Sequence, residues 1–206
     1  MSGNRISREK PKLKSKPIEI FTPGELAEIL AVAEGQSKLA IIIGAFTGIR
    51  SAEMLRLRWE NFNWEEQVID IGCDQTKTAS RRLVPILPPL VAWIQPFVQS
   101  SGPLLNYSLA VCLAEAFGTV AKKVTKTRGE GARQFAWKQN ALRHSYASYR
   151  LAITNDAAQV SLELGNSPQK LFSNYRKVVT RSQAIAWFSV MPTTASNVVP
   201  MKFAAG

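Results

Sequence analysis

The sequence predicts a mainly α-helical domain carrying one small antiparallel β-sheet, an α+β fold. Three observations lead there. Apolar residues recur at helical spacing over most of residues 20–176, and the period switches once, to two short β-branched runs at 67–72 and 81–87. The chain has 206 residues with 46% hydrophobic content, enough for one core with short tails.

Residues 1–17, MSGNRISREKPKLKSKP, are polar, cationic and without apolar periodicity, and read as a flexible basic arm or linker remnant. A helix starts in FTPGELAEIL, with Thr22 as N-cap, Pro23 at the first helical position and Glu25 three residues after the cap. KLAIIIGAFTGIRSAEMLRLRW reads as a buried helix, a Thr-Gly turn and a second short helix. QVIDIG and RRLVPIL, separated by the polar CDQTKTAS, form the hairpin or small sheet. From Pro88 helical patterns return over 89–99, 108–125, 139–153, 157–164 and 168–176, and in the third of these Leu142, Tyr146, Tyr149 and Ile153 share an apolar face. TKTRGEGARQ, with two glycines, reads as a surface loop. In TRSQAIAWFSVM a short helix presents Ala184, Trp187, Phe188 and Met191, a face that packs on its own domain or docks on a neighbouring copy. One ordered domain is therefore expected over 18–191, with a disordered tail over 192–206.

Charge narrows the partner. Lys and Arg total 26 against 15 Asp and Glu, a formal net charge of +11. Such an excess favours a polyanion, nucleic acid ahead of an anionic membrane surface. No apolar run reaches the roughly 18 residues of a membrane span, and the N-terminus lacks a secretory signal's apolar stretch. Two cysteines, Cys73 and Cys112, make no disulfide framework, so a reducing cytoplasm is expected. A single histidine, His144, argues against a zinc site of the Cys/His kind, and no carboxylate cluster is spaced for a pair of divalent ions.

SLELGNSPQKLFSNYRKVVT places Tyr175 after an amphipathic run and beside a basic pair. Taken singly it reads as a half-buried aromatic; as a nucleophile toward phosphorus it needs cations, a proton acceptor and a donor for the leaving oxygen. Arginine suits the first task, since its planar fork meets two phosphate oxygens and stays protonated. Arg50 lies where TGIRSAE begins a helix, with Glu53 on the same face to anchor it. Lys77 lies between the strands, and Arg143 lies in NALRHSYASY with Asn140 three residues earlier. Each has an ordinary reading: surface ion pair, hydrophilic edge, packing aromatic.

Their order carries more than any one of them. AFTGIRSAEMLRLRWENFNW, TKT…RRLVPIL, NALRHSYASYRL and LGNSPQKLFSNYRKV together resemble the motif boxes of the tyrosine recombinase, or phage integrase, catalytic domain, over about residues 20–180. The resemblance implies that fold and a site-specific recombinase or integrase activity on double-stranded DNA. It implies that Arg50 and Arg143 clamp the scissile phosphate, that Lys77 protonates the departing 5′ oxygen, and that Tyr175 forms a 3′ phosphotyrosyl bond, with Glu53 supporting Arg50. No cofactor, metal or small-molecule substrate is implied, because the covalent intermediate conserves the bond energy. A homo-oligomer assembling on DNA and a cytoplasmic, nucleoid-associated location in a prokaryote or phage follow from the same resemblance.

Two positions depart from the pattern. Asn140 stands where the second box begins with His, and Asn166 where His or Trp precedes the tyrosine. An amide donates to a phosphate oxygen but does not titrate near neutral pH. Lost acid–base assistance, typically ~10²–10⁴-fold, implies slow chemistry, with a DNA-binding module that has lost its chemistry as the alternative. His144 follows Arg143 but points about 100° away from it around a helix, so it reads as structural. A type IB topoisomerase fits less well, because the chain is short and has no long helical linker. Family members also carry a smaller helical N-terminal domain where this chain has only residues 1–17. The chain is thus expected to be a minimal form or an excised catalytic domain, binding DNA weakly and with strong salt dependence.

Overall fold

A computed structural model describes residues 18–72, 81–117, 137–175 and 179–193. The expected basic arm, the inter-strand segment with Lys77, the glycine-containing loop at 125–134 and the tail from 194 onward lie outside the described residues. Helix α1 (Pro23–Val32) begins as its sequence predicts. Thr22 Oγ1 accepts from the Glu25 amide at 3.2 Å, and the Glu25 carboxylate accepts from the Thr22 amide at 2.7 Å. Two otherwise unpaired amides are satisfied reciprocally.

Helix α2 (Gly35–Thr47) is the axis of the core, with every residue from Leu39 to Thr47 buried. It ends at Gly48, whose φ of 64° is left-handed, with the Gly48 amide donating to the Gly44 carbonyl at 3.2 Å. A Cβ at Gly48 would lie 2.6 Å from Tyr146 Cδ1 and 2.7 Å from Leu164 Cδ2, so both conformation and space require glycine. The short α3 (Ser51–Met54) follows immediately.

The sheet has three antiparallel strands in the order β1 (Phe62–Asn63), β2 (Val68–Ile71), β3 (Arg82–Pro85). The sequence indicated the second and third. The first has two residues, too short for an alternating pattern to register. Ile69 opposite Val84 and Ile71 opposite Arg82 set the register. Period-two alternation therefore puts Arg82 on the same inward face as Val84, while its neighbour Arg81 points outward to Asp70.

Helix α4 (Pro88–Ile94) is shorter than the expected 89–99. The chain passes into a 3₁₀ turn at Gln95–Phe97, where Pro96 has no amide to continue the helical ladder. Helix α5 (Leu109–Phe117) precedes the undescribed stretch 118–136. Helices α6 (Ala141–Thr154), α7 (Ala157–Leu164) and α8 (Pro168–Tyr175) match the expected positions to within two residues, and α9 (Arg181–Phe188) ends three residues short of the expected stretch to Met191. Leu142, Tyr146 and Tyr149 of α6 are buried together, as their spacing indicates. Among the described residues no helix is long and apolar enough to cross a membrane.

The face of α9 is used within the domain. Trp187 stacks on Tyr149 with centroids 4.6 Å apart and donates its indole N–H to the Ala45 carbonyl at 3.2 Å, with Ala184 buried beside it. Met191, expected on that face, lies beyond the helix and is 46% exposed, because the chain has already left helical geometry at Ser189. Trp187→Ala opens a large cavity between α6 and α9 and is expected to cost about 3–5 kcal/mol, read as a lower urea midpoint at unchanged m-value.

Candidate active site

Helix α7 ends at Gly165, whose φ is 61°. Its last carbonyls have no partners within the helix, and three arginines from three other elements supply them. Arg82 Nε of β3 donates to the Glu163 carbonyl at 3.1 Å. Arg143 Nη2 of α6 donates to the Leu164 carbonyl at 2.7 Å. Arg50 Nη2, at the start of α3, donates to the Gly165 carbonyl at 2.8 Å and to Asn166 Oδ1 at 3.1 Å. Arg143 Nη1 also donates to the Gly48 carbonyl at 2.5 Å, so the end of α2 closes the same ring.

Glu53 ties two of these guanidinium groups together. Its carboxylate accepts from Arg50 Nη1 at 2.9 Å and from the Arg50 amide at 3.1 Å. On its other side it accepts from Arg82 Nη2 at 2.6 Å and Nη1 at 3.3 Å. Burial alone would raise the Glu53 pKa, but the bonds and charge of Arg82, with those of Arg50, outweigh it and hold the carboxyl below its ordinary range. The anchoring of Arg50 by Glu53 expected from their spacing is therefore present, with Arg82 as a second partner that the sequence did not reveal.

Beneath the ring, Glu163 accepts from Tyr146 Oη at 2.8 Å, Arg150 Nη2 at 2.9 Å and Gln159 Nε2 at 3.0 Å. This network fixes the end of α7 on α6. Neither Glu163 nor Arg82 stands out in the sequence as a site residue. The available signals were an acidic residue amid the apolar spacing of α7 and an arginine at an inward strand position.

Tyr175, on α8, is 5% exposed. Its Oη lies 2.7 Å from His144 Nδ1, with the two rings tilted 39° and centred 5.7 Å apart. Burial raises the phenol pKa and the Arg143 charge opposes that rise. Helix α6 thus carries Arg143 toward the carbonyl ring and His144 toward the tyrosine. Adjacent side chains diverge as expected, and the divergence places the His144 ring beside Tyr175. Asn140 is exposed in the left-handed conformation (φ 57°) at the start of α6, one turn before Arg143. Arg50, Arg143, Asn166 and Tyr175 are brought together; Asn140 stands at the edge; Lys77 lies outside the described residues.

Arg82 and Arg50 bond Glu53 directly and Arg143 lies within reach of its charge, three positive groups to one negative. Burial pulls the Arg143 pKa down to about 10, helped by the charges of Arg50 and Arg82 and opposed by Glu53 and Tyr175. Such a cluster gains by taking in an anion. Arg50 still has 29% of its side chain exposed, so an anion can approach it from solvent.

The family model described as Phage integrase family matches residues 19–178. No curated protein sequence matches the chain. Among solved structures the fold is similar to that of XerA recombinase, with a TM-score of 0.57 and 14% identity over 85% of this chain and 64% of that one. It is also similar to the Tn1549 transposon integrase in complex with circular intermediate DNA, with a TM-score of 0.56 and 22% identity over 84% and 66% of the two chains. XerH site-specific recombinase, bound to its difH substrate in a pre-cleavage complex, gives a TM-score of 0.51 and 19% identity over 78% and 51%. The chain thus spans about two thirds of the first two structures' length.

Glu53→Ala leaves Arg82 buried without its counter-charge and is expected to cost about 3–5 kcal/mol in urea unfolding. Because the folded Glu53 pKa is depressed, its contribution is present above the unfolded carboxyl pKa of about 4.3 and is lost as pH falls through the lower folded value. Glu53→Gln should therefore flatten the acid limb of a stability–pH curve below that point.

Proposed function

The chain belongs to the phage integrase family, and on that premise we propose that it is the catalytic domain of a site-specific DNA recombinase, cleaving and rejoining double-stranded DNA through a 3′ phosphotyrosyl bond on Tyr175. The observation that carries this reading is the surplus of guanidinium charge about Glu53, beside a buried phenol. A phosphodiester has the charge and geometry such a cluster accepts, and the surplus grows more favourable as negative charge builds on the phosphorane oxygens.

In this reading Arg50 and Arg143 hold the non-bridging oxygens. Asn166, engaged with Arg50 through its oxygen, offers an amide N–H to the same phosphate, and Asn140 donates from the start of α6. Tyr175 attacks phosphorus, the bond to the 5′ oxygen breaks, and Lys77 protonates that oxygen. A 5′ hydroxyl of another strand then reverses the step. The DNA bound by the transposon integrase and by XerH in their complexes supports duplex DNA as the partner. Copies of the chain would assemble on that DNA, in the cytoplasm of a prokaryotic cell. The alternative, a binding module without chemistry, keeps the arginine contacts and forms no adduct.

A pool of nicked duplexes of randomised sequence, incubated with the protein and resolved under denaturing conditions, separates these readings. The wild type is expected to retain a covalent DNA adduct, Tyr175→Phe none, and Arg143→Ala a rate lower by at least ~10²-fold. Equal adduct from Tyr175→Phe would overturn the assignment of the nucleophile. DNA binding without any wild-type adduct would establish the binding module instead.

A further inference from the structure

Resting on the recombinase reading, we propose that His144 is the proton acceptor for Tyr175, its Nδ1 taking the phenolic proton as the oxygen attacks phosphorus. The two atoms already lie 2.7 Å apart, within the reach a general base needs. Asn140 and Asn166 flank the site but have no titratable proton, and His144 is the chain's one histidine.

The surroundings suit the role. Burial, and then the neighbouring Arg143 charge, hold the imidazole pKa below its ordinary value, so the ring is neutral at neutral pH and its Nδ1 has a lone pair to offer. That requires the tautomer with the proton on Nε2, and Tyr175 Oη as the donor. Among the described residues of the packed elements, Tyr175 of α8 and Arg143 of α6 act on the imidazole. Arg50, Glu53 and Arg82 bear on Arg143; Glu163 of α7 is taken up by Arg150 and Tyr146; Arg181 of α9 lies across the cavity bordered by Tyr175 and donates to the Ile153 carbonyl.

Substrate completes the circuit. In the free site an imidazolium beside Arg143 is disfavoured, so the proton stays on the phenol. A phosphodiester between Arg50 and Arg143 offsets that repulsion and makes the transfer favourable when the attack begins. The phenolic O–H bond breaks and the proton moves to Nδ1. The oxygen bonds to phosphorus, the bond from phosphorus to the 5′ oxygen breaks, and that oxygen takes its proton from the Lys77 ammonium. On rejoining, the imidazolium returns its proton to the departing Tyr175 oxygen, and Lys77 recovers its own from the attacking 5′ hydroxyl.

The test uses the full chain and duplexes recovered from the randomised pool, remade with a 5′-bridging phosphorothiolate whose sulfur leaves without protonation, so Lys77 drops out of the rate. His144→Asn keeps a hydrogen-bond acceptor near Nδ1 but takes up no proton; His144→Ala keeps neither. Both are expected to form adduct ~10²–10⁴-fold more slowly than wild type, with DNA binding by fluorescence anisotropy unchanged. The wild-type rate should rise with pH and level off below the ordinary histidine pKa of about 6.5, and that limb should vanish in both variants. Placing 3-fluorotyrosine, a more acidic phenol, at position 175 should restore part of the His144→Asn rate. Wild-type speed and pH profile in His144→Asn would overturn the acceptor role while leaving the recombinase reading intact. A wild-type protein that forms no adduct overturns both. Were either variant to lose its thermal transition, the fluorotyrosine substitution in the wild-type background decides: an unchanged pH limb there sinks the proposal, and a flattened one sustains it.

Discussion

Three guanidinium groups converge on the carbonyl end of one short helix, and the rest of the site is arranged around that fact. The last carbonyls of α7 carry the negative end of the helix dipole and have no partner within the helix. Arg82, Arg143 and Arg50 take the carbonyls of Glu163, Leu164 and Gly165 in chain order. Gathering like charges is unfavourable unless something opposes their repulsion. The oriented carbonyls, together with Glu53, reduce the cost without cancelling the charge. The residue is a pre-formed surplus of positive potential, which is what an anionic ligand would meet.

Rigidity comes from where the side chains are rooted. Arg50 and Arg143 are each held at two or more points, and both helix ends involved are closed by left-handed glycines, Gly48 and Gly165. Helix α6 connects the layers. Tyr149 packs on Trp187 in the main core, Tyr146 reaches down to Glu163, Arg143 faces the carbonyl ring and His144 meets Tyr175. A shift of one residue in the register of this helix would dismantle all of these together. Tyr175 belongs to the smaller apolar cluster with Val160, Leu164 and Leu171, so the phenol is positioned by packing and not by its hydrogen bond alone.

The two asparagines take on a different meaning once the surroundings are in view. Asn166 is a partner of Arg50, and its amide keeps the guanidinium oriented without adding a charge to a crowded group. Asn140 opens α6 in a left-handed conformation, which asparagine tolerates better than most residues. Each asparagine thus has a structural place of its own, and the chain's one imidazole lies one position past Arg143, against the phenol.

Local chemistry written in contiguous residues was legible. Thr22, Pro23 and Glu25 announce α1, the Thr47–Gly48 turn ends α2, and Arg50 with Glu53 spells its own ion pair, since each depends on side chains only a few positions apart. Motif order likewise carried the family. Partners distant along the chain were not legible. Arg81 and Arg82 are identical in sequence, and only strand register and the packing of β3 against α7 decide that one faces Asp70 in solvent and the other Glu53 in the interior. Asn140 and His144 are both polar residues of one helix, and only the placement of α8 over α6 brings Tyr175 to the second. The sequence by itself thus determined the helices, the hairpin, the family and the nearest-neighbour anchors, because these follow from short-range sterics and hydrogen bonding. The tertiary structure alone decided which charges share a carboxylate and which nitrogen meets the phenol, because those depend on distances set by the packing of the whole core.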